Sequence, residues 1–223
     1  PERAIVTNGT YGIPSVTGQL VTVSLDGPAD LNDPIRGEGV FAKVREAVFA
    51  RDPADGTTVM LQMAVTRENA PGLEDFMAEV STWPIAGVAF SFYVPVKDDA
   101  TGLDWPDLTE RDKVLDRVIA LKGQYPQVIK SNIATLEMMK SDVAIQSTGE
   151  NGEHCILRRD TLPLYMGDGG QFEKPFCCYG NDVDCTRCGA YAVFNRAYLE
   201  QQGRGKAARY GRDGAAKLAA LDD

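Results

Sequence analysis

The chain has 223 residues, 43% of them hydrophobic, and its formal net charge at pH 7 is −9. This length is enough for one main domain with a full core. The acidic balance argues against a nucleic-acid partner, because such binding needs clustered Lys and Arg. No apolar run is long enough for a membrane span and no signal-peptide pattern opens the chain, so we predict a cytoplasmic protein without a membrane span.

Short apolar runs alternate with helical patterns over residues 1–140, which is typical of parallel βα units. Strands are predicted at residues 3–7, 20–25, 58–65 and 87–94. Helices are predicted over 40–48 and 73–80, and a third is opened by Thr109 and Asp112 as a capping box and ended by Tyr125. Residues 10–19 are too rich in Gly and Pro for a helix. Four βα units are too few to close a barrel.

These patterns predict an α/β fold in which 1–140 form a partial (β/α) barrel of parallel strands. From about residue 141 the alternation stops, and 141–200 are predicted to be a cysteine-rich, loop-rich extension. Within it, 147–153 form a turn or a hairpin tip, and a helix begins near Ala190. Residues 201–223 form a polar tail.

Polar side chains follow the predicted strands, at the edge where parallel α/β sheets bind their ligands. Such a ring could hydrogen-bond a ribose or an amino-acid head group. The alternative is that each residue only makes a turn or caps a helix. The residues are Asn8, Ser24, Asp26, Thr66 and Asn69, with the larger Tyr93 in the fourth strand.

Three other groups bear on catalysis. Arg36 lies ahead of a predicted helix, where it either clamps a ligand carboxylate or pairs with Asp33. His154 is the only histidine, and no Gly-x-Ser-x-Gly elbow occurs, so no catalytic triad is predicted. A barrel lyase or aldolase would need a Schiff-base lysine at a strand end, whereas Lys97 lies beyond the fourth strand.

Four of the five cysteines lie within residues 177–188, and Cys185 and Cys188 form a C-x2-C pair. This spacing suits two thiolates on one metal, and it also suits a redox pair or inert thiols. The crowding favours coordination. The predicted ligands are Cys155, Cys178, Cys185 and Cys188, with Cys177 as the alternative to Cys178. Spacing alone does not choose between zinc and an iron–sulfur cluster.

Four segments together resemble the middle and later strands of the radical SAM superfamily. The most specific of them, from 23 to 44, joins an S-L-D-G turn to a D-x-x-R-G element. The segments are IVTNGTYGIP at 5–14, VSLDGPADLNDPIRGEGVFAKV at 23–44, VTRENAPGLEDF at 65–76 and GVAFSFYVP at 87–95.

The resemblance implies an enzyme of the radical SAM oxidoreductase or transferase type. Such an enzyme cleaves S-adenosylmethionine reductively at a [4Fe-4S] cluster, and the 5′-deoxyadenosyl radical abstracts hydrogen from a small-molecule or peptide substrate. A reductant such as a ferredoxin or flavodoxin supplies the electron. By position, Ser24 and Asp26 would lie near the ribose and methionine, Thr66 and Asn69 would line the next wall, and the strand bearing Phe92 and Tyr93 would contact the adenine.

The sequence also departs from that family. Its C-x3-C-x2-C cluster loop and Gly-Gly-Glu element do not occur here, and the C-terminal thiols have C-x6-C-x2-C spacing. We therefore expect the later portion of a longer enzyme, which by itself produces no 5′-deoxyadenosine. The resemblance implies an auxiliary iron–sulfur cluster at the C-terminal cysteines. The alternative is a zinc-stabilised, non-catalytic α/β interaction module.

Overall fold

A computed structural model describes residues 4–167 and 169–203. The chain divides into two compact units. The first comprises Pro1–Tyr93 and Asp99–Ser131, and the second comprises Val94–Asp98 and Asn132–Asp223. Of the predicted polar tail, residues 204–223 lie outside the described residues.

The first unit is built on one sheet of four parallel strands in the order β1-β2-β3-β4. The strands are β1 (Ala4–Thr7), β2 (Leu20–Ser24), β3 (Thr58–Val65) and β4 (Gly87–Phe92). All four predicted strands are present, within two residues of their predicted ends. The predicted α/β class, with parallel strands in an open (β/α) arrangement, is confirmed.

Side chains alternate between two faces of this sheet, because successive residues of a strand point in opposite directions. The apolar, buried set forms the core face: Val21, Val23, Val59, Leu61, Met63, Val65, Val88, Phe90 and Phe92. The opposite set is more polar and includes most of the half-buried strand residues. We call it the polar face, and its members in β2 to β4 are Thr22, Ser24, Met60, Gln62, Ala64, Ala89 and Ser91.

Four helices accompany the sheet: α1 (Ala29–Arg36), α2 (Val40–Phe49), α3 (Leu73–Val80) and α4 (Leu108–Gln124). The last three follow predicted apolar stripes, and each buries that stripe. Helix α1 is not apparent from the sequence, because Pro34 lies inside it and interrupts helical hydrogen bonding. Residues 10–19 contain no helix, as predicted.

The start of α4 differs from the prediction. Asp107 is the N-cap, and its Oδ1 accepts a hydrogen bond from the Thr109 backbone N–H at 2.8 Å. Thr109 therefore lies inside the first turn, and the predicted capping box formed by Thr109 and Asp112 is wrong. An aspartate two residues upstream provides the same cap, because its carboxylate reaches the same orphan N–H groups.

The second unit contains more helix than the cysteine-rich loop region that the sequence suggested. Its helices are α5 (Ile133–Met138), α6 (Ser141–Thr148), α7 (Ile156–Asp160) and α8 (Tyr191–Gln201), with an antiparallel pair β5 (Tyr165–Met166) and β6 (Phe172–Glu173). Residues 149–155 connect α6 to α7, so the predicted 147–153 segment consists of the end of α6 and a turn between helices rather than a hairpin tip. The predicted C-terminal helix is α8. Within the described ranges, no helix is long and apolar enough to cross a bilayer.

Candidate functional site

Asp26 is the central polar side chain at the carboxyl ends of β2 and β3. Only 3% of the residue is exposed. Its Oδ1 accepts a hydrogen bond from the Ala64 backbone N–H at 2.8 Å, and its Oδ2 lies 2.6 Å from Arg36 Nε. The second contact is an ion pair rather than an aligned hydrogen bond. Arg36, in the last turn of α1, thus pairs with Asp26 and not with Asp33.

Asn32 and Asp33 complete this network, and neither is among the predicted ligand-binding residues. The buried Asn32 amide oxygen accepts from the Asp26 backbone N–H at 2.8 Å, and its Nδ2 donates to Asp33 Oδ1 at 2.9 Å. Asp33 also accepts from the backbone N–H groups of Gly39 and Phe41. Burial works to raise the pKa of Asp33, but these hydrogen bonds outweigh it and hold the pKa below its usual value.

Thr66 and Asn69 fold the loop after β3. Asn69 Oδ1 accepts from the Thr66 backbone N–H at 2.7 Å, and Thr66 Oγ1 accepts from the Asn69 backbone N–H at 3.1 Å. Asn69 Nδ2 donates to the Ala64 carbonyl at 3.0 Å. Both residues are buried, so their polar groups serve mainly to hold the loop, as turn residues commonly do.

The other two strand-end residues, Asn8 and Ser24, differ in whether their side chains are already used in hydrogen bonds. Asn8 Oδ1 accepts from the backbone N–H and the hydroxyl of Thr10, so it closes an exposed turn. Ser24 is half-buried on the polar face, where it pairs in register with Gln62 of β3. Its hydroxyl makes no hydrogen bond within the part of the chain that the structure describes.

Phe92 and Tyr93 lie on opposite sides of the sheet. Phe92 belongs to the core face, is 2% exposed and packs its ring against Trp105 at a centroid distance of 5.9 Å. Tyr93 follows β4 with the parity of the polar face, and its hydroxyl lies 3.4 Å from Thr101 Oγ1. Of the two, only Tyr93 has the parity of Ser24 and Gln62. Gln62 and Ser91 are not among the predicted site residues, although their alternation with buried residues marks this face.

All five cysteines lie in the second unit, and all are free thiols. Cys155 is the N-cap of α7, and its backbone N–H donates to the Gly152 carbonyl at 3.1 Å. A β-carbon on Gly152 would lie 3.2 Å from Cys185 Sγ, so Cys185 packs beside the loop that carries Cys155. Cys177 and Gly180 exchange two backbone hydrogen bonds that close a tight turn.

These thiols act on one another electrostatically. Burial raises the pKa of Cys177, Cys178 and Cys185, and it raises the pKa of Cys188 to about 12. The charge of Cys155 adds to the rise in each case. Backbone hydrogen bonding works in the opposite direction at two of the cysteines. The backbone of Tyr179 lowers the pKa of Cys177, and the backbone of Ala190 lowers the pKa of Cys188.

The donor type therefore suits a thiolate-bound metal centre, because a cation would offset the cost of burying several thiolates together. In residues 4–167 and 169–203, however, no three His, Cys, Asp or Glu side chains are placed so that they could hold one metal ion.

No protein-family model matches this sequence, and no curated protein matches it. Among solved structures, the chain is similar to native anSMEcpe with bound AdoMet and Cp18Cys peptide, at 17% identity and a TM-score of 0.47, covering 62% of this chain and 43% of that one. For the same protein with AdoMet and Kp18Cys peptide, the identity is 18% and the TM-score is 0.48, and the match covers 62% of this chain and 42% of that one. For hexahistidine-tagged anSMEcpe with AdoMet, the identity is 18% and the TM-score is 0.47, and the match covers 61% of this chain and 40% of that one. The chain thus spans less than half the length of each.

Proposed function

We propose that this chain is part of a radical SAM enzyme, and that the polar face of its sheet contacts S-adenosylmethionine. One observation carries the proposal. The S-L-D-G turn and the D-x-x-R-G element, which together make the most specific part of the sequence resemblance, meet in space through the Asp26–Arg36 ion pair. That pair lies at the carboxyl end of β2, where parallel α/β sheets bind ligands.

The polar groups of the site have two different tasks in this proposal. Asp26, Thr66 and Asn69 hold the strand-end loops, since their side chains bond to backbone groups. Ser24 and Gln62 offer a hydroxyl and an amide to the ribose hydroxyls. The small side chains beside them, Ala64, Ala89 and Ser91, leave room for a flat base.

Arg36 can serve the methionine end of the ligand. Its side chain is 25% exposed and already neutralised by Asp26. The guanidinium carries five N–H donors, so those not directed at Asp26 can bind a carboxylate. When bound beside a reducing iron–sulfur cluster, S-adenosylmethionine would supply the carbon radical chemistry needed to abstract a substrate hydrogen. The residues of this chain bind and orient it. A small-molecule or peptide substrate and a ferredoxin or flavodoxin reductant belong to the same proposal.

The test is a titration of S-adenosylmethionine into the 15N-labelled chain, followed by amide chemical shifts. We expect the largest shifts at Ser24, Gln62 and Ser91. Gln62→Leu should abolish them, while Gln127→Leu, at an exposed turn of the same unit, should leave them intact. Shifts confined to α2–α4, or equal shifts in both variants, would contradict the proposed site.

The cysteines of the second unit are proposed to bind an auxiliary iron–sulfur cluster through Cys155, Cys178, Cys185 and Cys188, with Cys177 as the alternative to Cys178. The position of Cys185 beside the loop that carries Cys155 supports the proposal for these two thiols. After anaerobic reconstitution, Cys178→Ser should lose more acid-labile sulfide per chain than Cys177→Ser, and the reverse order would put Cys177 in the ligand set in its place.

A further inference from the structure

The second unit contains a cavity of about 310 Å³, and apart from Cys177 and Cys178 its lining residues have no role in the proposals above. It lies between α7 with its following loop and the segment from Lys174 to Cys178. Its apolar walls include Leu157, Pro163 and Pro175, and its polar lining includes Arg158, Thr161 and Lys174. The volume is at the lower end of the range for small-molecule sites.

The lining is cationic although the chain as a whole is acidic. Arg158 and Lys174 both border the cavity, and no Asp or Glu is among the lining residues that the structure describes. Within the described ranges, neither cation has an ion pair with a carboxylate. Two such charges beside one cavity, in a chain with a net charge of −9, favour an anionic occupant.

Arg158 is held in place before any ligand arrives. Its Cζ lies 3.9 Å from the centroid of the Phe176 ring, which is a cation–π contact, and its Nη1 donates to the Asn151 carbonyl at 3.0 Å. A fixed guanidinium loses little conformational entropy on binding, and its other N–H groups match the geometry of an oxyanion.

We propose that this cavity binds a small molecule with an oxyanion head group, a carboxylate or a phosphate, on an apolar body. Arg158 and Lys174 bind the head group, and Leu157, Pro163 and Pro175 contact the body. The proposal stands apart from the radical chemistry, and its test uses neither S-adenosylmethionine nor a cluster.

Cys178 provides a local reporter, because it also lines the cavity. The rate at which iodoacetamide alkylates Cys178 is measured by peptide mass spectrometry with benzoate, phenyl phosphate or uncharged benzamide present. Benzoate, phenyl phosphate or both should slow alkylation severalfold, and the stronger protector identifies the preferred head group. Benzamide should have little effect.

The variants assign the effect to the two cations. Lys174→Gln, at an exposed position, should raise the concentration of anion needed for protection about tenfold, the size expected for a lost charge-assisted hydrogen bond. Arg158→Gln should do the same, and Lys113→Gln, on the exposed surface of α4, should behave as wild type. Equal protection by benzamide, protection by neither anion, or full protection in Lys174→Gln would overturn the proposal.

Discussion

Asp26 shows how one buried side chain can organise a strand-end loop. It accepts a hydrogen bond from Ala64 on β3 and pairs with Arg36 at the end of α1, while its own N–H is bound by Asn32. Its position was predictable, because a polar residue after an apolar run marks the end of a strand. Its partners were not predictable, because Ala64 is 38 residues away in the chain and meets Asp26 only through strand pairing.

Removing the Asp26 carboxylate should destabilise the first unit. Asp26→Ala leaves the Ala64 N–H without its acceptor and Arg36 without its counter-charge. Because Arg36 is partly exposed, we expect a loss of about 2 kcal/mol in the free energy of unfolding, below the ~3–5 kcal/mol of a broken, fully buried pair. Asp26→Asn, which keeps an acceptor for the N–H, should lose less. Urea denaturation measures both, and equal stability of Asp26→Ala and wild type would refute this role.

The lowered pKa of Asp55 leads to a prediction about how the stability of the fold depends on pH. The backbone N–H of Thr57 is the main cause that lowers its pKa from 3.8 to about 2, with help from Ser15 and Arg51. A carboxylate with a lowered folded-state pKa contributes stability above its unfolded pKa and loses that contribution as the pH falls through the folded value. Stability should therefore decline between about pH 4 and pH 2.

The control is a carboxamide that cannot titrate. Asp55→Asn should flatten the dependence of the urea midpoint on pH over this window, whereas Asp98→Asn, at an exposed position, should leave the wild-type slope. An unchanged slope in Asp55→Asn would show that other carboxylates carry the acid sensitivity.

Elements with strong local patterns were predictable, and those that depend on distant contacts were not. The strands are apolar runs bounded by turn residues, and α2, α3 and α4 have regular apolar stripes, so local sequence defines them. Helix α1 contains Pro34, α5 and α7 have only 6 and 5 residues, and α6 lacks the large apolar stripe of the equally short α3. Helices of that length draw their stability from tertiary packing rather than from their own sequence.

Two glycines test how backbone contacts define the elements. Gly87 opens β4 with a φ of +156°, and an added β-carbon would lie 2.3 Å from the Val128 carbonyl oxygen. Because that contact is with backbone beside the Val88–Ile129 bridge, Gly87→Ala should cost at least about 2 kcal/mol.

Gly123 is the matched control. It lies in α4, and an added β-carbon would meet nothing within 4 Å. Gly123→Ala should stabilise the protein by about 0.5 kcal/mol through helix propensity. The midpoint of thermal or urea unfolding should therefore fall for Gly87→Ala and rise for Gly123→Ala. A shift in the same direction would mean that the strand start is not constrained as described.

At the scale of the whole molecule, each unit carries a different part of the proposed chemistry. The first presents the polar face, and the second carries all five cysteines. Residues 94–98 belong to the second unit, because two backbone hydrogen bonds tie them to it. The Lys97 N–H donates to the Asp182 carbonyl, and the Asp184 N–H donates to the Pro95 carbonyl. No local pattern reveals such an assignment, because it depends on a segment about 90 residues further along the chain.

The most direct measurement is the metal and sulfide content of the chain, purified and reconstituted without oxygen in the presence of iron, sulfide and zinc. We expect iron and acid-labile sulfide in near-equal amounts, a brown chromophore, and loss of all three when Cys185 and Cys188 are replaced by serine. Tightly bound zinc without sulfide would contradict it and would favour a zinc-stabilised, non-catalytic module.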